Sequence, residues 1–431
     1  MPANPIMDEP GLLLQSIPFI LLIDLPLAAV VFLGSMRSWI RSFSLPPRHS
    51  LYQPRVSCVI TCYKEGLDVQ RTLLSLCEQT YPGEIELIPV VDDASTNTIT
   101  MRAVRDFQPD PGLYPKRCIR PIAKWKRGGR VSSLNAGLAM SSGEIVLAVD
   151  GDTSFDNTAV AAMVRHFEDA NVPAVAGNLR VRNTWQSLAT VMQAIEYLLS
   201  INMTRIGLSE WNLINNISGA FGAFRRETLV QIGGWNTHSA EDLDLTLRIK
   251  SYFGRHPDLR IPFEAKAIGH TDVPHTFRQF FQQRLRWDGD LFFLYARKHW
   301  GNISPRLMGW PNFAMLVFSG LYVQVINPFI IVAYSLALLL SEPWPRLVAL
   351  AGFIYAAYLL LQVVQFTWML ILSSERPRRD MLLLLFLPLY PLAMFVIRCW
   401  SAVAMLNEIL RRSHEETAMA PWWVINRAIR F

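Results

Sequence analysis

Residues 144–152 read Glu-Ile-Val-Leu-Ala-Val-Asp-Gly-Asp. Glu144 to Val149 predicts a strand, apolar without alternation from Ile145 onward, the pattern of a strand covered on both faces, as in an open parallel sheet. It stops at Asp150-Gly151-Asp152, two carboxylates on one tight turn with a glycine that lets a backbone or ligand come close. Hard oxygen ligands on such a turn suit Mg²⁺ or Mn²⁺ shared with a diphosphate, whereas a solvated acidic turn is the plain alternative.

The same grammar repeats upstream. Val56 to Tyr63 (VSCVITCY) and Ile85 to Val91 predict two more buried strands, and Leu67 to Gln79 and Val131 to Met140 predict the helices between. Acidic residues stand at the strand ends, Asp92-Asp93 after the second and Asp150-Asp152 after the third, which is where open α/β sheets take their ligands. Asp92-Asp93 can hold a ribose or base, or simply cap a helix. Lys124 to Arg130 (KWKRGGR) sets cations beside a pliable glycine pair, fit for phosphate oxygens or for solvent. Ala240-Glu241-Asp242-Leu243-Asp244 opens a helical segment, where a carboxylate serves as a cap or as a general base.

The rest of the chain points to lipid. Of 431 residues 51% are hydrophobic and only 18% charged, below the quarter or so usual for soluble domains. A net charge of +6 is too small for a nucleic-acid coat, so no nucleic-acid partner is expected. Five cysteines show no metal-ligand or disulfide spacing and read as ordinary thiols. Apolar runs at 11–36, 311–340, 347–372 and 381–406 each exceed the ~20 residues a helix needs to cross a bilayer. Residues 1–36 carry no Lys or Arg, while Arg37, Arg41, Arg48 and Arg55 follow at once, so the positive-inside rule sets the large middle domain in the cytoplasm at the inner membrane. No cleaved signal peptide is expected. Pro388, Pro391 and Arg398 predict a kinked or re-entrant last run, and after Asn407 too few residues remain for a regulatory domain with its own core. Phe277 to Trp300 is amphipathic and predicts an interfacial helix; Thr184 to Ile206 has an apolar face that predicts core.

With these residues in view the chain resembles the processive, membrane-embedded family 2 glycosyltransferases, the group of cellulose, hyaluronan and chitin synthases, poly-N-acetylglucosamine synthase and the rhizobial chitin-oligosaccharide synthase. The resemblance implies an α/β GT-A type nucleotide-sugar-binding domain inserted between transmembrane helices. It divides the chain into an N-terminal span (1–36), a cytoplasmic glycosyltransferase domain (37–276), an interfacial helix (277–310), about three C-terminal spans (311–406) and a tail (407–431). Thr61, Tyr63 and Glu65 match the first-strand nucleotide contacts and Asp92-Asp93 the first acidic motif. Arg130 and Asn135 are implied substrate-binding residues, Arg130 standing after the glycine pair where the family usually has Lys. Asp150 and Asp152 match the DxD metal motif, with Asp150 also a substrate contact. Ser218 and Gly219 match the acceptor-side segment before Gly233-Gly234-Trp235. Glu241-Asp242 matches the end of the TED motif, with Ala240 in place of Thr. Gln283, Arg286 and Trp287 match QxxRW, and His270 to Pro274 falls at a gating loop.

The implied activity is inverting transfer from a UDP-sugar (UDP-glucose or UDP-N-acetylglucosamine) onto a growing polysaccharide that is extruded across the membrane. Mg²⁺ or Mn²⁺ is the implied cofactor and membrane lipid a further partner; accessory membrane or export subunits leave no mark in one chain. A nucleoside diphosphate already leaves well, so one base suffices, and Asp242 is the candidate, with Arg286 adding a fixed cation near the leaving group. Trp287 can stack on a sugar face. Transfer of a single sugar to a membrane lipid is the alternative among enzymes, and a non-catalytic membrane receptor is the alternative outside them.

Overall fold

The structure, a computed structural model, describes residues 23–44 and 51–416. Residues 1–22 and 417–431 lie outside it, so the start of the first apolar run and the tail arginines Arg427 and Arg430 lie outside the described residues.

One mixed sheet organises the domain: β1 (Val56–Cys62), β2 (Ile85–Val91), β3 (Arg117–Ile119), β4 (Ile122–Ala123), β5 (Ile145–Asp150), β6 (Ser154–Phe155), β7 (Ala174–Val181), β8 (Phe221–Arg225) and β9 (Phe263–Thr271). The order is β3-β2-β1-β5-β8-β7-β9-β6, with β4 on β2. The three strands legible in the sequence run parallel, as their unbroken apolar character requires; β8 then pairs antiparallel with both β5 and β7. The sheet is therefore parallel only in part.

Period-two alternation sends Val59, Ile88, Val146 and Ala148 to one face and Cys58, Ile60, Leu87 and Leu147 to the other. Helix α2 (Asp68–Cys77) covers the second face with Val69, Leu73 and Leu76. Helix α3 (Gly129–Met140) covers the first with Val131, Leu134 and Leu138, joined by α4 (Leu188–Glu196). The apolar face of residues 184–206 is core as expected, from Val191 to Ile206, while Trp185 and Leu188 are exposed.

That first core is continuous with the membrane-type helices. Helices α8 (Trp310–Ser341), α9 (Trp344–Ser373) and α10 (Pro377–Arg411) are the three described helices long and apolar enough to span a bilayer, and Phe366 and Met369 of α9, both fully buried, belong to that core. They coincide with the last three apolar runs. In α10 the backbone is a 3₁₀ helix over Met381–Leu389, with Pro388 inside, and α-helical from Tyr390, a change of winding at the proline that removes an N–H donor. Helix α1 (Leu25–Ser44) crosses α5 (Thr204–Glu210) with backbones in contact: a Cβ on Gly207 would sit 2.3 Å from the Val31 carbonyl oxygen. Between α5 and α8 lie α6 (Glu241–Lys250) and α7 (Phe277–Phe292).

Candidate active site

Because β1, β2 and β5 are parallel, their carboxyl ends open on one edge, and register pairs Thr61 with Asp150. Tyr63 to Glu65, Asp92-Asp93 and Asp150 to Asp152 are thereby brought to one corner. The Asp150-Gly151-Asp152 turn is clamped on both sides: Gly151 N–H donates to the Thr61 carbonyl (3.0 Å) and Thr72 donates its hydroxyl to the Gly151 carbonyl (2.8 Å). A Cβ at Gly151 would stand 2.9 Å from the Thr61 oxygen and 3.2 Å from Glu65 Cγ, so only glycine fits.

Asp152 accepts a long side-chain bond from Thr153 (3.4 Å), and burial, with Asp150 beside it, pushes its carboxyl up to about 6 against the opposing charge of Arg182. Glu65 has a buried oxygen without a partner and is pushed up to about 7, first by burial and also by Asp152 and Asp150. Unpaired buried carboxylates of this kind call for a cation. Among the described residues no three His, Cys, Asp or Glu side chains form a metal cage. Two carboxylates on one turn, Asp150 and Asp152, fit an ion that takes most of its oxygens from elsewhere, as Mg²⁺ does with substrate phosphates.

Arg130 ties the corner together. Its guanidinium donates to Asp150, Glu241, the Thr61 hydroxyl (3.1 Å) and the Gly219 carbonyl (2.8 Å). Across this bridge lies the first turn of α6, entered through Ala240 in the left-handed region (φ 45°), a conformation that costs about 1–3 kcal/mol outside glycine. Its three carboxylates have separate fates. Glu241 is engaged by Arg130. Asp244 is fully buried among Arg248 (2.9 Å), Lys298 (2.7 Å) and His299 (2.8 Å), which hold its carboxyl far below the usual range against the cost of burial. Asp242 accepts only from neutral donors: Gly219 N–H (3.0 Å), the Asn216 amide (3.3 Å) and Leu243 N–H (2.7 Å). Gly219 thus donates to Asp242 and accepts from Arg130, which donates to Asp150. One residue, Gly219, and one guanidinium separate the candidate base from the Asp150-Gly151-Asp152 turn.

Residues 57–233 match the profile described as Glycosyl transferase family 2. The chain carries a glycosyltransferase family 2 domain. It is 26% identical over 365 residues, 83% of this chain and 84% of the relative, to the poly-beta-1,6-N-acetyl-D-glucosamine synthase of Staphylococcus epidermidis. A probable glycosyltransferase of Bacillus subtilis is 31% identical over 54% of each chain. In fold the chain is similar to a mannosyltransferase from Pyrobaculum calidifontis in complex with GDP-Man and Mn²⁺, at a TM-score of 0.61, covering 93% of this chain and 99% of that one, with 19% identity. The GT-A-like α/β fold expected of the sequence is the fold observed.

Within the family 2 domain several expected contact residues make bonds that hold the local structure. Asp92 is buried and accepts from Lys124 (2.7 Å), Gly128 N–H (2.9 Å) and Gly129 N–H (2.8 Å), so it folds the basic loop onto the sheet. Asp93, at φ 55°, closes its own turn by accepting from Ser95 and Thr96. Asn135 exchanges both amide groups with the backbone of Trp235 (2.7 and 3.0 Å), fixing the Gly233-Gly234-Trp235 turn. Ser218 accepts from Phe221 N–H (3.2 Å) at the mouth of β8. The Tyr63 ring lies under Arg127, 4.5 Å from the centroid.

Gln283, Arg286 and Trp287 share one face of α7, at i, i+3 and i+4. That helix is fastened to α10 by Trp400 donating to the Phe281 carbonyl (2.9 Å) and Ser401 to Asp288 (2.7 Å). Arg284 covers the Trp287 ring at 5.1 Å and is paired with Glu196. Asp290, one turn beyond Arg286, is pushed up to about 7 by burial, with Ser239 and Arg286 opposing. The His270–Pro274 segment is held at Asn183, which exchanges bonds with Val273 (2.9 and 3.0 Å), and at Arg182, paired with Asp272 (2.7 Å). Two residues beside Asp242 escaped the sequence reading: Asn216, and Arg205, whose buried Nη1 lacks a partner and whose charge attracts Asp242. Neither belongs to a spaced motif; only folding brings them to α6.

Proposed function

We propose that this family 2 glycosyltransferase is an inverting synthase that extends a β-linked polysaccharide from a UDP-sugar and passes it into its own transmembrane region, with the catalytic domain cytoplasmic. The observation that carries the proposal is the state of Asp242: on a helix turn where both other carboxylates are neutralised by cations, it alone accepts only from neutral donors, one guanidinium away from the Asp150-Gly151-Asp152 turn. No cation hydrogen-bonds its carboxylate, so both oxygens are held by neutral donors beside the place an acceptor hydroxyl would take, and positioned bases contribute roughly 10²–10⁴-fold.

Asp152, with Asp150, would hold Mg²⁺ or Mn²⁺, which when bound supplies charge neutralisation for the departing diphosphate. The chain's own groups do the rest. Thr61, Glu65 and the clamped Gly151 turn shape the donor corner. Asp242 takes the proton of the acceptor hydroxyl as that oxygen attacks from the side opposite the diphosphate, and Arg286 adds a fixed positive charge to the leaving group's side. Trp287 and Gln283, on the helix fastened to α10, set the acceptor end where the domain meets the apolar helices. N-acetylglucosamine is the sugar favoured, because the relative aligned over most of both chains is named for its polymer.

Full-length protein in lipid nanodiscs, given labelled UDP-N-acetylglucosamine and Mn²⁺, tests the reading. A ladder of long, hexosaminidase-sensitive products supports it. Label confined to a single sugar in the lipid extract replaces it with lipid glycosylation.

A further inference from the structure

The guanidinium of Arg130 is committed to four segments at once: the end of β5 through Asp150, the first turn of α6 through Glu241, the end of β1 through Thr61, and the acceptor-side loop through Gly219. It is only 13% exposed. The Asp150 oxygen it engages is also reached by the Thr61 hydroxyl (3.3 Å), so that oxygen has two donors already. Asp152, by contrast, has no cationic partner within salt-bridge range among the described residues: it accepts a long hydroxyl bond and one from its own backbone, and Arg182, which is paired with Asp272, acts on it only from a distance. The two carboxylates of one turn are thus unequal. One is occupied by a resident cation; the other is open.

We infer that Arg130 makes divalent-metal binding at the Asp150-Gly151-Asp152 turn conditional on the nucleotide. This rests on the proposal that the turn serves a nucleoside diphosphate. A cation arriving alone meets one open carboxylate beside a fixed positive charge, and like charges at close range repel strongly in a partly buried site. A diphosphate changes both conditions. It brings the missing oxygen ligands, and its oxygens compete for the guanidinium fork, which pairs with phosphate as readily as with carboxylate. Arg130 then turns from Asp150 to the phosphate, and Asp150 is released toward the ion. The same movement loosens Glu241 and Gly219, so the loop that donates to Asp242 responds to the filling of the donor corner. A lysine, with a single ammonium group, cannot span Asp150, Glu241 and Gly219 in this way, so the coupling belongs to the arginine.

The test is Mn²⁺ binding by full-length protein in detergent, read from the free-ion electron paramagnetic resonance signal with and without UDP. Wild type is expected to bind Mn²⁺ about tenfold or more tightly with UDP than without it, within the usual span of ligand couplings. Arg130→Gln is expected to bind Mn²⁺ alone more tightly than wild type by a similar factor, and adding Asp150→Asn to that variant should erase the gain. Arg130→Lys should show a smaller gain of the same sign, and it decides the matter if the glutamine variant does not fold. Nucleotide-free affinity unchanged in these variants overturns the inference. No effect of UDP on Mn²⁺ binding in wild type instead overturns the metal–diphosphate reading of the turn itself.

Discussion

Asp242→Asn removes one proton acceptor and leaves the shape of the side chain nearly unchanged. Loss of a general base costs roughly 10²–10⁴-fold in rate, or about 3–5 kcal/mol of transition-state stabilisation. The structure adds a second, separable cost. Both carboxylate oxygens accept backbone N–H groups, Oδ2 from Gly219 at 3.0 Å and Oδ1 from Leu243 at 2.7 Å. An amide can turn its oxygen to one of these, and its NH₂ then faces a donor, a mismatch of about 1–3 kcal/mol in stability. The variant should therefore melt somewhat earlier while losing at least about 99% of its initial rate of UDP release, a loss too large for a mismatch that leaves the protein folded. UDP affinity, measured by calorimetry, should stay close to wild type, because Asp242 lies on the acceptor side of Arg130. Retention of more than about a tenth of the wild-type rate would refute the assignment of Asp242 as base.

The other expectations are more local. Gly151→Ala forces a methyl against the Thr61 carbonyl, so metal-dependent UDP binding should fall sharply; unaltered binding would show that the turn has slack. Glu65 is pushed from 4.5 to about 7, so the folded protein holds a proton there that the unfolded chain has lost, and its contribution to stability declines as pH rises from about 4.5 to about 7. Glu65→Gln should accordingly gain in melting temperature relative to wild type between those pH values, and a pH-independent difference would contradict the burial argument. Gly207→Val drives side-chain atoms into the Val31 backbone of α1 and should destabilise the α1–α5 crossing by about 1–3 kcal/mol, seen as earlier proteolysis of the N-terminal helix.

What could be read in advance follows from which forces act locally. Strands β1, β2 and β5 were legible because burial on both faces leaves continuous apolar runs, and the acidic residues at their ends because parallel strands end on one edge. Strand β8 (Phe-Gly-Ala-Phe-Arg) and the Gly- and Asn-containing β7 carry no such run; their pairing comes from neighbours distant in sequence, so the antiparallel half of the sheet was hidden. The division of labour among acidic groups was hidden for the same reason. Asp244 stands in the same carboxylate cluster as Asp242, and Asp92 at a strand end, and only folding gathers cations around them, Lys124 for Asp92 and Arg248, Lys298 and His299 for Asp244. Arg130 read as a phosphate contact in a basic loop; folding makes it the link between the Asp150-Gly151-Asp152 turn and the candidate base Asp242.

The central claim is a single displacement across that link, with one base and no covalent sugar–enzyme adduct. The anomeric configuration of the first bond formed tests it most directly, by proton NMR on the initial product from an α-linked UDP-sugar before any further processing. The account predicts a β linkage. An α linkage would mean retention of configuration, and no arrangement of Asp242 as sole base opposite the leaving diphosphate could produce it.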